Sequence, residues 1–357
     1  MRRCYMVWAI SAVLATVSVR AEHTINDVNI DRPVLSVGEE PGCTISFLTD
    51  KPATARVFLY DQDTRLVRQL SRPEASKHHR FTWDLKDERG RHVPTQLYLY
   101  RIQTTDEVGD IMAEDPHLRS GAQDTLIYWP KWREAEKVIR FELERDSLVR
   151  VRVGLEEGPM IATVADWVPV FKRSPEVGWD GWDRDRVQYY GDADNLQIHV
   201  EAISLPDNYI YVRHAAQGRG VTYSQARWIS DAVAFNRDLD PKSYRLAEGI
   251  VGRMDESSAV TIELPGEATE EEGFVLERTE RIKIQVPTFS EAEKAHQFYE
   301  IIYFLDGVLQ YEEQIERAHA EYEFEPKHLA PGSHTFVANV ILGGGRVGTA
   351  SLKVVVP

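Results

Sequence analysis

The sequence predicts an all-β protein made of small sandwich modules in series, and three observations carry that expectation. The first is a turn that occurs twice. Trp83-Asp84-Leu85-Lys86-Asp87 and Trp179-Asp180-Gly181-Trp182-Asp183 each set a Trp before an Asp, with a second Asp three residues on. Short acidic side chains at such positions accept backbone N–H groups and fix a tight turn between strands. The second is a long repeat around that turn. Setting residue n against n+94 brings Ile45, Phe47, Ala55, Val57 and Leu59 onto Ile139, Phe141, Val149, Val151 and Val153. Leu66, Val67 and Leu70 fall on Met160, Ile161 and Val164 at the same offset, and two added residues carry Trp83 onto Trp179. So long a period is that of whole domains in tandem, not of a solenoid. The third is alternation: Val149, Val151, Val153 and Leu155 interleave with Arg150, Arg152 and Gly154, a strand with one apolar face. Carried back to the first copy, this puts Ala55, Val57 and Leu59 inward and Arg56, Phe58 and Tyr60 outward. Two aromatics on an outer face are expected to cover a neighbouring domain or loop.

The N-terminus comes first in chain order. Met1-Arg2-Arg3 precedes an uncharged run from Cys4 to Val19, then Arg20-Ala21. A basic start, a short apolar core and small residues at Val19 and Ala21 predict a signal peptide over 1–21, with a mature start at Glu22. The apolar run is short of the roughly 20 residues that a spanning helix needs. The expected location is therefore the periplasm, the cell surface or the extracellular space, with no membrane insertion after cleavage. Cleavage removes three Arg and no acid, taking the net charge from −15 to −18. So acidic a chain argues against nucleic acid and anionic membranes as partners. One cysteine, Cys43, remains. It shares strand parity with Ile45 and Phe47, which predicts a buried thiol that acts as a small apolar side chain.

Residues 22–112 form the first expected module. Ile45-Ser46-Phe47, Ala53 to Asp61, Arg65-Leu66-Val67-Arg68, Phe81-Thr82-Trp83-Asp84, Gly90, Val93-Pro94 and Tyr98-Leu99-Tyr100-Arg101 resemble the Ig-like domain of the flagellar hook-capping protein. The resemblance spans about residues 28–104 and, more faintly, 136–212. It departs from the family at Leu85, where a Gly is usual; Gly181 keeps that Gly in the second copy. The resemblance implies an Ig-like β-sandwich with an assembly or binding role, and it brings no catalytic residues.

The stretch 113–134 reads as a linker, anchored through Tyr128-Trp129-Pro130-Lys131-Trp132. Residues 135–212 form the second Ig-like module, closing on the alternating Leu196 to Ala202. Whether that strand matches Tyr98-Leu99-Tyr100 at an offset of 98 or 99 is open at this level, and one residue of slip reverses the buried face. A connector over 213–255 follows, partly helical, with Ser224 as a cap. A third module, 256–357, has Asp306-Gly307 as a hairpin turn, then Pro331-Gly332 and two alternating strands. Its last sixty or so residues resemble a bacterial Ig-like module of another subtype.

Signatures of catalysis are missing: no G-x-S-x-G, no H-E-x-x-H, no P-loop and no dinucleotide-binding glycine pattern. The expectation is a chain without catalytic residues, cofactor or metal. His78-His79, His296, His319, His328 and His334 lack ligand spacing. Asp180, Asp183, Asp185, Asp192 and Asp194 cluster without the D-x-D-x-D-G spacing of a calcium loop and with Arg184 and Arg186 among them, so turn-forming carboxylates are the expected reading. The same stretch holds Trp182, Tyr189 and Tyr190, which fall where the first copy has Lys86 and the run Arg91, His92 and Val93. They are the candidate binding residues, with packing on the 213–255 connector as the competing account. The function that follows is a structural or adhesive protein whose modules act as spacers and docking faces toward a protein partner in an envelope or extracellular assembly. The alternative is a glycan-binding accessory protein, or the accessory module of an extracellular hydrolase system.

Overall fold

Alternating apolar residues run unbroken from Cys43 to Asp61, and that stretch forms β3, the spine of the first module. The computed structural model describes residues 23–37, 42–61, 65–116, 120–121, 123–173, 175–213, 260–263, 273–285, 299–315, 319–341 and 347–357. The predicted signal peptide (1–21), all but Arg213 of the predicted connector (213–255) and the acidic run Glu267 to Glu272 lie outside them. Around β3 stand β1 (Ile25–Ile30), β2 (Val34–Ser36), β4 (Leu66–Trp83), β5 (Gln96–Asp106) and β6 (Ile111–Glu114). They share one sheet in the order β1-β3-β5-β13-β2, with β4 on β3 and β6 on β5; β13 is Tyr209–Arg213.

The long β3 and β4 each serve both layers of a sandwich. Residues 45–49 of β3 pair with β1, whereas 53–61 pair with β5, and the register of β3 on β4 shifts between Leu48 and Ala53. The inner side holds Cys43, Ile45, Phe47, Val57, Leu59, Phe81, Trp83, Tyr98 and Tyr100, all buried.

In the second module the same layers are separate three-stranded sheets. β7 (Ile127–Arg133), β8 (Val138–Leu143) and β11 (Glu176–Gly178) form one in the order β11-β8-β7. β9 (Ser147–Leu155), β10 (Met160–Val170) and β12 (Leu196–Ser204) form the other in the order β10-β9-β12. Ile45 pairs with Phe81 and Ile139 with Val177, as the repeat requires. Val57 pairs with Ile102 and Val151 with Val200, which places Tyr98 and Tyr100 on Leu196 and Ile198 and settles that strand's offset at 98. β7 stands where β1 stands in the first module: Ile30 pairs with Ile45, and Trp132 with Ile139. Residues 127–133, read from sequence as part of a linker, are thus an edge strand of the second module. β13 crosses back: Tyr209 to Val212 pair with β5 and Tyr211 to Arg213 with β2, so the end of the 135–212 stretch completes the first sheet.

Phe58 and Tyr60 do face away from the first core, yet both are buried. With Leu97, Leu99, Tyr209 and Tyr211 they meet Leu148, Trp167, Ile203 and Leu205 of the second module. Each large apolar side chain removed from water contributes about 1.5–3 kcal/mol, so this second cluster binds the two modules firmly.

The third module is a separate sandwich. β14 (Thr261–Glu263), β16 (Glu280–Gln285) and β19 (His319–Phe324) make one sheet. β15 (Phe274–Val275), β17 (Tyr299–Leu305), β18 (Val308–Ile315), β20 (Gly332–Ile341) and β21 (Val347–Val356) make the other, in the order β15-β21-β20-β17-β18. Between them lie Leu276, Ile282, Ile284, Ile301, Tyr303, Phe336, Ala338, Val340 and Val354. Asp306 and Gly307 both take positive φ, 51° and 79°, the backbone of a two-residue hairpin turn. The fold is all-β, and among the described residues no helix is long and apolar enough to cross a membrane.

Candidate docking site

The repeated turn has the same hydrogen bonds in both modules. Trp83 Nε1 donates to the Lys86 carbonyl at 2.9 Å, and Trp179 Nε1 to the Trp182 carbonyl at 2.8 Å. Asp84 accepts the Lys86 N–H and Asp180 the Trp182 N–H, at 3.2 and 3.1 Å. Asp87 accepts the N–H groups of Arg89 and Arg91; Asp183 accepts those of Val187 and Gln188. The residue between the Trp-Asp pair and the next carbonyl has positive φ in both, 58° at Leu85 and 91° at Gly181. A side chain there is strained, and Leu85 tolerates it because its own side chain is buried in the first core.

This pattern decides where the candidate aromatics fall. The bridges Lys86–His92 and Trp182–Tyr189 are equivalent, and the second loop is one residue longer. Val93 N–H then donates to the Leu85 carbonyl and Tyr190 N–H to that of Gly181. Tyr190 therefore stands on Val93. Both are core residues, Tyr190 at 8% exposure, with burial pushing its phenol up to about 12. The sequence alignment treated Tyr190 as an addition because the extra residue hid this match; its place in the core is a correction.

Trp182 and Tyr189 are half-buried and pack edge to face at 5.6 Å. The Tyr189 ring lies over Gly181 and Gly191, where an added Cβ would come within 2.4 Å of it. Its hydroxyl donates to Glu134 Oε1 and accepts from Lys137 Nζ, each at 2.8 Å, and the Lys137 ammonium sits 5.0 Å from the ring centre. Arg186 lies 6.0 Å over Trp182 and 2.7 Å from Asp180. The result is a partly exposed patch of two rings framed by cations and carboxylates. The competing account, packing on the 213–255 connector, concerns residues that lie outside the described ones, Arg213 excepted.

Three residues of the acidic stretch, Asp180, Asp183 and Asp185, serve structure. Asp180 and Asp183 hold the turn, and burial pushes the Asp183 carboxyl above its ordinary value against the N–H groups that favour its charge. Asp185 accepts the Ser351 N–H of the third module at 2.7 Å. Arg184 donates to the carbonyls of Val260, at 2.8 Å, and Thr349. Asn339 exchanges two hydrogen bonds with the Met160 backbone, at 2.7 and 2.8 Å, and Thr349 Oγ1 adds a third. The turn that sequence reasoning marked as a site is thus also the joint between the second and third modules. Among the described residues, no group of three or more His, Cys, Asp or Glu is placed to hold a metal ion.

Sequence reasoning misplaced two exposed aromatics. Trp132 packs against Trp179 at 4.7 Å and donates to the Gly191 carbonyl, as an anchor should. Tyr128 and Trp129, expected to anchor the same segment, face outward at 42% and 75% exposure, beside Leu126. Trp129 has a φ of 50° in a bulge ahead of Pro130, which throws its ring off the edge strand. The Pro in an edge strand was the available signal.

One constellation has the residue types of a nucleophilic triad. His23 Nε2 lies 2.7 Å from Thr104 Oγ1, and Asp106 lies 3.8 Å from His23 Nδ1. All three are buried, and the group ties the first described residue to β5. His79 is likewise internal, stacked on Phe47 at 4.6 Å.

No protein-family profile matches the chain, and no curated protein matches it. Among solved structures, it is similar to the fibronectin(III)-like modules of Clostridium thermocellum CbhA, at 9% identity and a TM-score of 0.20 over 92% of this chain and 94% of that one. A bacterial ice-binding adhesin is matched at 11% identity and a TM-score of 0.20 over 94% of this chain and 99% of that one. A tetra-tandem repeat of a large adhesion protein gives 10% identity and a TM-score of 0.18, over 92% and 74%. At such scores the likenesses bear on neither the build nor the function of this chain.

Proposed function

We propose that this chain is an exported structural or adhesive protein without catalytic activity, whose modules act as spacers and docking faces in an envelope or extracellular assembly. One observation carries the reading: each module is held to the next by a built interface. The apolar cluster around Phe58, Tyr60 and Trp167 joins the first and second, and the Met160–Asn339–Thr349 joint joins the second and third. Such interfaces hold binding faces at defined separations, which a spacer needs and a freely linked enzyme accessory does not. The division proposed is a first module over 23–116 completed by β13, a second over 123–205 and a third from 260. The hook-capping type of the first two is proposed from the Trp-Asp turn with its indole-to-carbonyl bond. Trp182 and Tyr189 are the proposed docking residues, with Tyr190 as their support from the core.

The test is co-purification with envelope or extracellular proteins from a bacterial extract. Trp182→Ala with Tyr189→Ala should lower retention at unchanged melting temperature, whereas Tyr190→Ala should lower the melting temperature. Unchanged retention by the double variant overturns the assignment. The glycan-binding alternative is favoured by the exposed Tyr128 and Trp129, since flat ring faces suit sugars. It predicts retention on peptidoglycan or polysaccharide that Trp129→Ala abolishes.

A further inference from the structure

β18 closes the five-stranded sheet of the third module, and among the described residues no strand pairs its outer edge. It is eight residues long, Val308–Ile315, and most of it is open to solvent. Val308, Leu309 and Tyr311 are large apolar residues at 62%, 48% and 56% exposure. A sheet edge is a row of backbone donors and acceptors ready to pair with another chain, and proteins blunt it with Pro, Lys or bulges. The outer strand β4 carries Arg72, Pro73 and Lys77, and β7 carries Pro130, Lys131 and a bulge. β10 is capped at Met160 by Asn339 and Thr349. β18 has neither Pro nor a cation, and its one bulge, at Gln310, leaves Tyr311 to Ile315 in regular register with β17. Its charges are Glu312 and Glu313, and Glu300 follows on the same face as Glu312 two pairs further along β17. Tyr311 stacks on the buried Tyr303 at 6.2 Å, and the Tyr303 hydroxyl donates to Glu313, so the strand is held firmly from within.

We propose that β18 accepts an extended segment of a partner protein by strand addition, and that the segment alternates apolar with basic residues. Main-chain hydrogen bonds along the edge supply affinity, and alternate side chains supply choice. An apolar residue of the added strand covers Tyr311 on the core side. A Lys or Arg on the opposite face lies against Glu312, in a chain whose net charge of −15 already favours a cationic partner. The inference deepens the docking reading by naming a second face and its occupant, and it does not involve Trp182 or Tyr189.

The probe is a blocked nine-residue peptide alternating Lys and Val, titrated onto the full chain by calorimetry. Saturable one-to-one binding is expected, weakened at least tenfold by Glu312→Lys, an exposed substitution that leaves the fold intact by circular dichroism. The same peptide N-methylated at alternate residues keeps its charge but cannot join a sheet, and it should not bind. Equal binding of the N-methylated peptide, or equal binding to Glu312→Lys, overturns the proposal, because either shows attraction to the acidic surface alone. Dimerisation of the chain that Leu309→Lys abolishes also overturns it, since a second copy then occupies the edge. The double variant at Trp182 and Tyr189 should bind the peptide normally, which separates failure here from failure of the aromatic site.

Discussion

Trp83 and Trp179 each fill a sandwich core and donate an indole N–H to the carbonyl three residues on, so each ring sets both the packing and the turn beside it. Replacing either with Ala should cost about 3–5 kcal/mol, the range for emptying a large aromatic site. Denaturant midpoints measure it, and the two losses should be similar. A negligible cost for Trp179 would contradict the equivalence. Cys43 belongs at this scale too. Burial pushes its thiol up to about 12, with the Asp31 charge adding to the effect. A thiolate is the reactive form, so labelling of native protein at neutral pH should be slow and should become fast on unfolding. Rapid labelling of the folded chain would place Cys43 outside the core.

At the scale of elements, the second turn depends on Gly181. Its φ of 91° disfavours any side chain, and an added Cβ would meet the Tyr189 ring at 2.4 Å. Gly181→Ala should therefore cost about 1–3 kcal/mol, the range for a strained backbone position, and should displace Tyr189, visible as altered near-ultraviolet circular dichroism. In the third module, His334 clips two turns together: Nδ1 lies 2.7 Å from Asp306 and Nε2 lies 2.8 Å from the Ala330 carbonyl. The Asp306 bond, then the Ala330 carbonyl, raise its pKa above the ordinary 6.5. The folded state then binds the proton more tightly than the unfolded state. Its contribution is complete below about 6.5 and is lost as pH rises through the raised folded value. Thermal melts should show the third module weakening over that window, and His334→Gln should flatten the dependence.

At the scale of the whole molecule, the interfaces make the modules respond together. Trp167 packs in the cluster between the first two modules, with the Arg150 guanidinium 4.6 Å from its ring. Trp167→Ala should uncouple them, turning one calorimetric transition into two. Asn339→Ala removes two of the three hydrogen bonds to the Met160 backbone and should loosen the third module while leaving the melting of the first unchanged. A single unaltered transition in both variants would mean that the interfaces contribute little.

Much of this was legible in the chain. Alternation at Val149 to Leu155, the doubled Trp-Asp turn and Asp306-Gly307 are short-range signals, set by side-chain period and by the backbone conformations that Asp and Gly allow. They determined the all-β class, the repeat, the buried Cys43 and the inward faces of β3 and β9. What lies against the outward face is a matter of contacts between residues far apart in sequence, which no local pattern encodes. Only the tertiary structure placed Phe58 and Tyr60 against Trp167, returned β13 to the first sheet, turned Arg184 and Asp185 into the joint with the third module and left Trp129 in solvent. Tyr190 shows the boundary between the two. Its register depends on one extra loop residue, and a backbone hydrogen bond from Tyr190 to Gly181, not a sequence period, decides that it belongs to the core.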